Sequence, residues 1–169
     1  MEAADSEIVA ANMAMVRKME ERGAAVVNVS LPSLFTVFKA HTLTILSEFA
    51  TTMDVHHAEH AKRVALDTQI KLALGRAVSS RDLLAAQKVR ARWIAELKVL
   101  FLSIDVLASS ATAIAAPPMD PTKTVDLQVT EQIMRFSPLA NLARIPAISF
   151  PVAQLADGRP IAMQLQARW

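Results

Sequence analysis

The chain has no cysteine and only three glycines in 169 residues. Without cysteine there is no disulfide framework, no thiolate nucleophile and no thiolate metal ligand, and the redox compartment stays open. Gly23, Gly75 and Gly158 lie far apart, so no glycine-rich loop can carry a nucleophile up to an oxyanion hole. No apolar run is long enough to span a bilayer. The acidic start, MEAADSEIV, lacks the basic region and apolar core of a secretory leader. A net charge of +2 is too small to indicate nucleic acid or an anionic membrane as partner. The default expectation is a soluble cytoplasmic protein that needs no cofactor.

What is present is apolar. Hydrophobic residues make up 53% of the chain and charged residues 20%, which favours a sizeable core over disorder. The length suits a single domain over 1–169. Val9, Met13, Val16 and Met19 recur at helical spacing through Ser6–Arg22, with Asp5 or Ser6 to cap the start and Gly23 to end it. The β-branched run Ala24–Ser30, closed by Leu31-Pro32, reads as a buried parallel strand. Helices are expected over Thr42–Met53, with Leu43, Leu46, Phe49 and Ala50 inward, and over Ala61–Ala77, with Val64, Ile70 and Leu74 inward. His41 then falls at a helix start. Ser79 to Asp82 forms a capping box for a long helix facing the core with Leu83, Ala86, Trp93, Leu97 and Leu100.

An exposed proline-rich connection is expected over Ala111–Thr124, then a short helix over Val125–Arg135. The last third reads as strand, turn and strand: Ala147–Val152, a turn at Asp157-Gly158, and Ile161–Gln166. Ile148, Phe150 and Val152 point one way, Ala147 and Ser149 the other. Both runs look too apolar for a surface ribbon, so both faces are expected to be covered.

Three groups of residues could carry chemistry. His56, Glu59 and His60 match an H-x-x-E-H zinc pattern, with the histidines one helical turn apart, Glu59 as general base and Glu131 as a distant third ligand. A polar, solvated helix start explains the same residues. The serine pairs Ser79-Ser80 and Ser109-Ser110 lack flanking glycines; a helix cap and a strand end account for them. Asn141 and Gln164 are polar groups in an otherwise apolar stretch, and satisfying backbone groups at a bend accounts for them.

The order Asn141-Leu142, Ile145-Pro146-Ala147-Ile148-Ser149, Pro151, then Asp157-Gly158, Pro160-Ile161 and Gln164-Leu165 resembles the C-terminal signature of the amidase signature family. Phe101–Ser109, through Phe101, Asp105, Val106 and Leu107, resembles that family's phenylalanine, aspartate and apolar strand, and the helix-glycine-strand order around Gly23 is similar to it as well. The resemblance implies part of a layered α/β/α fold, a mixed sheet with flanking helices, and family chemistry on carboxamide C–N bonds. It places the family's serine, cis-serine and lysine upstream of the matching residues, so this chain would supply scaffold and, through Asn141 and Gln164, some substrate-side wall. Arg144, Ala162 and Ala167 stand where the family carries glycine, and a guanidinium at 144 would crowd a tight approach. Strands of an incomplete sheet leave open edges, so self-association or a complementary amidase chain is the expected partner, and a small amide is a substrate only once the fold is completed. A non-catalytic interaction module and a zinc hydrolase built on His56 and His60 are the alternatives.

Overall fold

The computed structural model describes residues 4–60, 63–118 and 126–168, with the description of 56–60 and 127 stopping at the backbone. The helices are α1 (Ser6–Glu21), α2 (Leu34–His60), α3 (Leu66–Ala77), α4 (Ser80–Leu100), α5 (Leu127–Met134) and α6 (Pro138–Ala143). The strands are β1 (Val106–Ser110), β2 (Ala147–Gln154) and β3 (Pro160–Ala167), in the order β1-β3-β2. The chain is α/β, part of a layered fold, and its three described strands are antiparallel rather than mixed.

Local chemistry sets several boundaries as expected. Gly23, at φ 96°, ends α1: its N–H donates to Glu20 O and that of Ala24 to Met19 O, the paired bonds of a Schellman cap. Ser79 Oγ accepts from Asp82 N at 3.1 Å while Asp82 Oδ2 accepts from Ser79 N at 3.2 Å, the reciprocal capping box that starts α4. At the hairpin, Gly158 takes φ 84° and donates to Leu155 O, and Leu155 N closes the loop on Arg159 O.

The main core lies among α2, α4 and α6 and reaches β1 through Leu107. Trp93 is 1% exposed, and its Nε1 donates to Leu139 O at 3.0 Å, pinning α6 to α4. Arg90 Nε adds a second tie by donating to Leu142 O at 2.8 Å. Gly75 is a packing glycine: a Cβ there would overlap the Leu46 carbonyl and stand 2.9 Å from the Ala50 Cβ, so α3 lies directly on α2.

Several expectations are corrected. Ala24–Ser30 forms no strand; it is exposed throughout, with Val27 59% exposed, because no neighbouring chain takes its backbone bonds among the described residues. The helix expected from Thr42 begins at Leu34, so His41 lies buried inside α2 rather than at a helix start. In α1 the buried stripe is Ile8, Asn12 and Val16, with Met13 exposed. In α3 the buried residues are Leu72 and Gly75, and Ile70 and Leu74 face outward: α3 packs on α2 through the side that its glycine opens. The strand β2 is not covered on both faces. It is an edge strand, and Ile148 is 62% exposed.

Arg144 is the one non-glycine residue with positive φ among those described, at φ 58° and ψ 42°, directly after α6. Its backbone thus adopts a glycine conformation. Its side chain is exposed, so the expected crowding does not occur.

Candidate functional site

The sheet presents two different faces, set by the alternation of side chains along each strand. The register Ser110↔Met163↔Phe150 and Ala108↔Leu165↔Ile148 defines the first. This is the α1 side, since Asn12 Nδ2 donates to Ser110 Oγ at 3.2 Å and to Ile8 O at 2.9 Å. Ser110 and Met163 are completely buried beneath it.

The second face carries a polar row. Ser109, Gln164 and Ser149 stand opposite one another across β1, β3 and β2, and the next row holds Leu107, Gln166 and Ala147. Gln166 is 1% exposed; its Nε2 donates to Ser109 Oγ at 3.3 Å and to Gln164 Oε1 at 3.0 Å. Leu107 ties this end of the face to the helical core. Burial falls off across the row, from Ser109 inside, through half-buried Gln164, to exposed Ser149. Two amide oxygens, Asn12 Oδ1 and Gln166 Oε1, are sealed from solvent without a hydrogen-bond donor. A buried carbonyl in that state costs about 1–3 kcal/mol.

The three strands carry no charged side chain, so this face offers neutral hydrogen-bonding groups. It has the chemistry to bind an uncharged polar group, and the strands themselves supply no cation for an anion. Ser109 and Ser110 both have carboxamide partners, which suits them to structural hydrogen bonds.

The residues singled out in the sequence fall in separate places. Gln164 lies in the polar row, whereas Asn141 is exposed on α6, which packs against α2 and α4. Asn141 is thus not a buried amide, although its carbonyl does accept from Arg144 N at the bend. His56, Glu59 and His60 lie on the last turn of α2 rather than at a helix start, and their side chains fall outside the described residues. Glu131 is on α5 and pairs with Arg135 at 3.7 Å. Among the described residues no three His, Asp or Glu side chains gather to hold a metal ion.

Gln166 and Asn12 escaped the sequence reading. A lone amide within an apolar stripe gives no sign of burial until the facing element is known. Asn12 did carry one signal: it interrupts the stripe Ile8, Asn12, Val16 at helical spacing.

Elsewhere, titration is shifted by simple causes. Burial holds the His41 imidazole below its ordinary value, partly opposed by Glu48. The Arg159 guanidinium, bonded to Asp157 at 2.7 Å, holds that carboxyl below the usual range and locks the hairpin end. The same arginine donates to Ala116 O at 2.8 Å.

Comparison with known proteins agrees with this architecture. The family profile described as Amidase matches residues 1–169. The fatty acid amide hydrolase of Arabidopsis thaliana is 33% identical over 151 residues, covering 86% of this chain and 25% of its own length. The 2-amino-5-chloromuconic acid deaminase of Comamonas testosteroni is 28% identical over 166 residues, covering 95% of this chain and 36% of the deaminase. A crystal structure of an amidase superposes with a TM-score of 0.84 at 22% identity, over 99% of this chain and 39% of that one. A 6-aminohexanoate cyclic dimer hydrolase complexed with substrate gives 0.80 at 17% identity, over 98% and 38%. The chain spans about a quarter of the length of the fatty acid amide hydrolase it matches. With residues 1–169 matched by the family profile and the fold shared, this chain belongs to the amidase family.

Proposed function

We propose that this chain is the scaffold part of an amide-hydrolysing fold, that it does not hydrolyse amides alone, and that the nucleophile comes from another segment or chain. The carrying observation is the 33% identity to a fatty acid amide hydrolase of which the chain spans 25%. The relative's name points to a linear aliphatic amide as the substrate class. The chemistry would be attack on the carboxamide carbon and departure of nitrogen. Serine attack needs a base within hydrogen-bonding reach. Ser109 and Ser110 instead accept from Gln166 and Asn12.

The open side of β2, with Ile148 exposed, supports a second part of the same reading: a further strand pairs there. The exposed run Ala24–Ser30 is a β-prone segment in the same condition. A complementary amidase chain fits both better than self-pairing, because under this reading it also brings the nucleophile.

Two measurements test this. The purified chain, incubated with hexanamide and a serine-directed fluorophosphonate, should release no ammonia and take no label; labelling of any serine refutes the non-catalytic assignment. Co-expressed with a full-length relative, it should co-purify as a complex. Recovery as a clean monomer, with low binding of an apolar dye at high concentration, refutes the partner assignment.

A further inference from the structure

Behind the polar row, the buried carboxamide of Gln166 decides which atom of Gln164 is shown to solvent. Gln164 Oε1 is taken up by Gln166 Nε2 at 3.0 Å, and Gln166 Nε2 is itself shared with Ser109 Oγ at 3.3 Å. A carboxamide is planar with its oxygen and nitrogen diverging, so Gln164 Nε2 is turned away from Gln166. That nitrogen has no hydrogen bond among the described residues and is not one of the sealed atoms. Beside it in register stands the exposed Ser149.

Gln166 gains little for itself from this arrangement. Its own Oε1 is sealed without a donor, next to the core residue Leu107 in register. An apolar side chain of similar size would avoid that loss. What the carboxamide does supply is an orientation for its neighbour.

We propose that Gln166 is a positioning residue, which fixes Gln164 with Nε2 outward as donor to the carbonyl oxygen of a neutral carboxamide ligand. The Ser149 hydroxyl can accept from the ligand's N–H, so the pair matches both ends of an amide. A carboxylate matches less well: it has no N–H to donate, and the strands carry no cation to neutralise it. This inference rests on the amide-handling assignment above and deepens it.

The test uses the full chain labelled with nitrogen-15, following side-chain amide signals as hexanamide is added. The Gln164 NH2 signals should shift and saturate. Gln166→Leu should keep or raise the melting temperature while weakening hexanamide binding about tenfold, the equivalent of one well-aligned hydrogen bond. A merely structural residue would not separate those two readouts. Ser109→Ala, which leaves the bond to Gln164 in place, should fall between the two and guards against a folding defect in the first variant.

Hexanoate at the same concentrations should bind more weakly; equal binding overturns the amide assignment. If hexanamide shifts other residues but not Gln164, or if Gln166→Leu binds as tightly as the parent, the inference is wrong and the amide-handling assignment survives. No shift anywhere also overturns the inference, and the wider assignment is then judged by co-purification alone.

Discussion

Replacing Gly75 with alanine sets local propensity directly against packing. In the middle of an exposed helix the change should stabilise by about 1 kcal/mol, because glycine is the poorer helix former. Here the added methyl meets the Leu46 carbonyl oxygen and comes within 2.9 Å of the Ala50 Cβ. A backbone carbonyl inside α2 cannot rotate away, so α2 and α3 must separate. Overpacking typically costs about 1–3 kcal/mol, and an overlap with backbone belongs at the upper end, which exceeds the propensity gain by about 2 kcal/mol. A net loss of about 2 kcal/mol corresponds to roughly 4–8 °C in melting temperature for a chain of this size.

The assay is a pair of thermal melts with a built-in control. Ala73 lies exposed on the same helix, so Ala73→Gly should cost about 1 kcal/mol from propensity alone. Adding Ala50→Gly to Gly75→Ala removes the side-chain overlap but not the carbonyl one, so recovery should be partial. A melting temperature for Gly75→Ala equal to or above that of the parent refutes the reasoning, as does full recovery in the double variant.

Other outcomes follow from the same structure. Arg144→Gly should stabilise by about 1 kcal/mol, since φ 58° is costly for a residue with a Cβ; a chemical denaturation midpoint that falls would contradict this. For His41 the folded value is depressed below the ordinary 6.5, so the unfolded chain binds more protons between the two values and stability rises with pH there. Melts should therefore lose stability as pH falls below about 6.5, and His41→Gln should flatten that part of the curve; an unchanged slope in the variant refutes the assignment. The Asp157 contribution lies in a separate window, being present above its ordinary value near 3.8 and lost only in stronger acid.

Much of the architecture was legible in the residues. Gly23 after Lys18 and Arg22, the Ser79-to-Asp82 box and Asp157-Gly158 each marked an element end, because these motifs satisfy backbone groups within a few residues of themselves. The errors share the opposite character. Ala24–Ser30 has strand propensity, yet a strand exists only when another backbone pairs with it. Val64, Ile70 and Leu74 make a plausible inward stripe, but the α3 face was chosen by the gap at Gly75. The candidate site was half legible: Gln164 stood out as polar in an apolar run, while Gln166, two residues on, was read only as the end of that run.

By itself, the sequence determined the family, the α/β class, the hairpin and the exclusion of thiol chemistry, since signatures, caps and composition act locally or by simple presence. Only the tertiary structure decided which strand lies at the open edge, which side of α3 meets α2, and that Ser109, Gln166 and Gln164 share one hydrogen-bonded row. Those facts depend on segments far apart in sequence meeting at ångström distances, as Ser109 and Gln166 do, and burial and register follow from that meeting rather than from any single stretch.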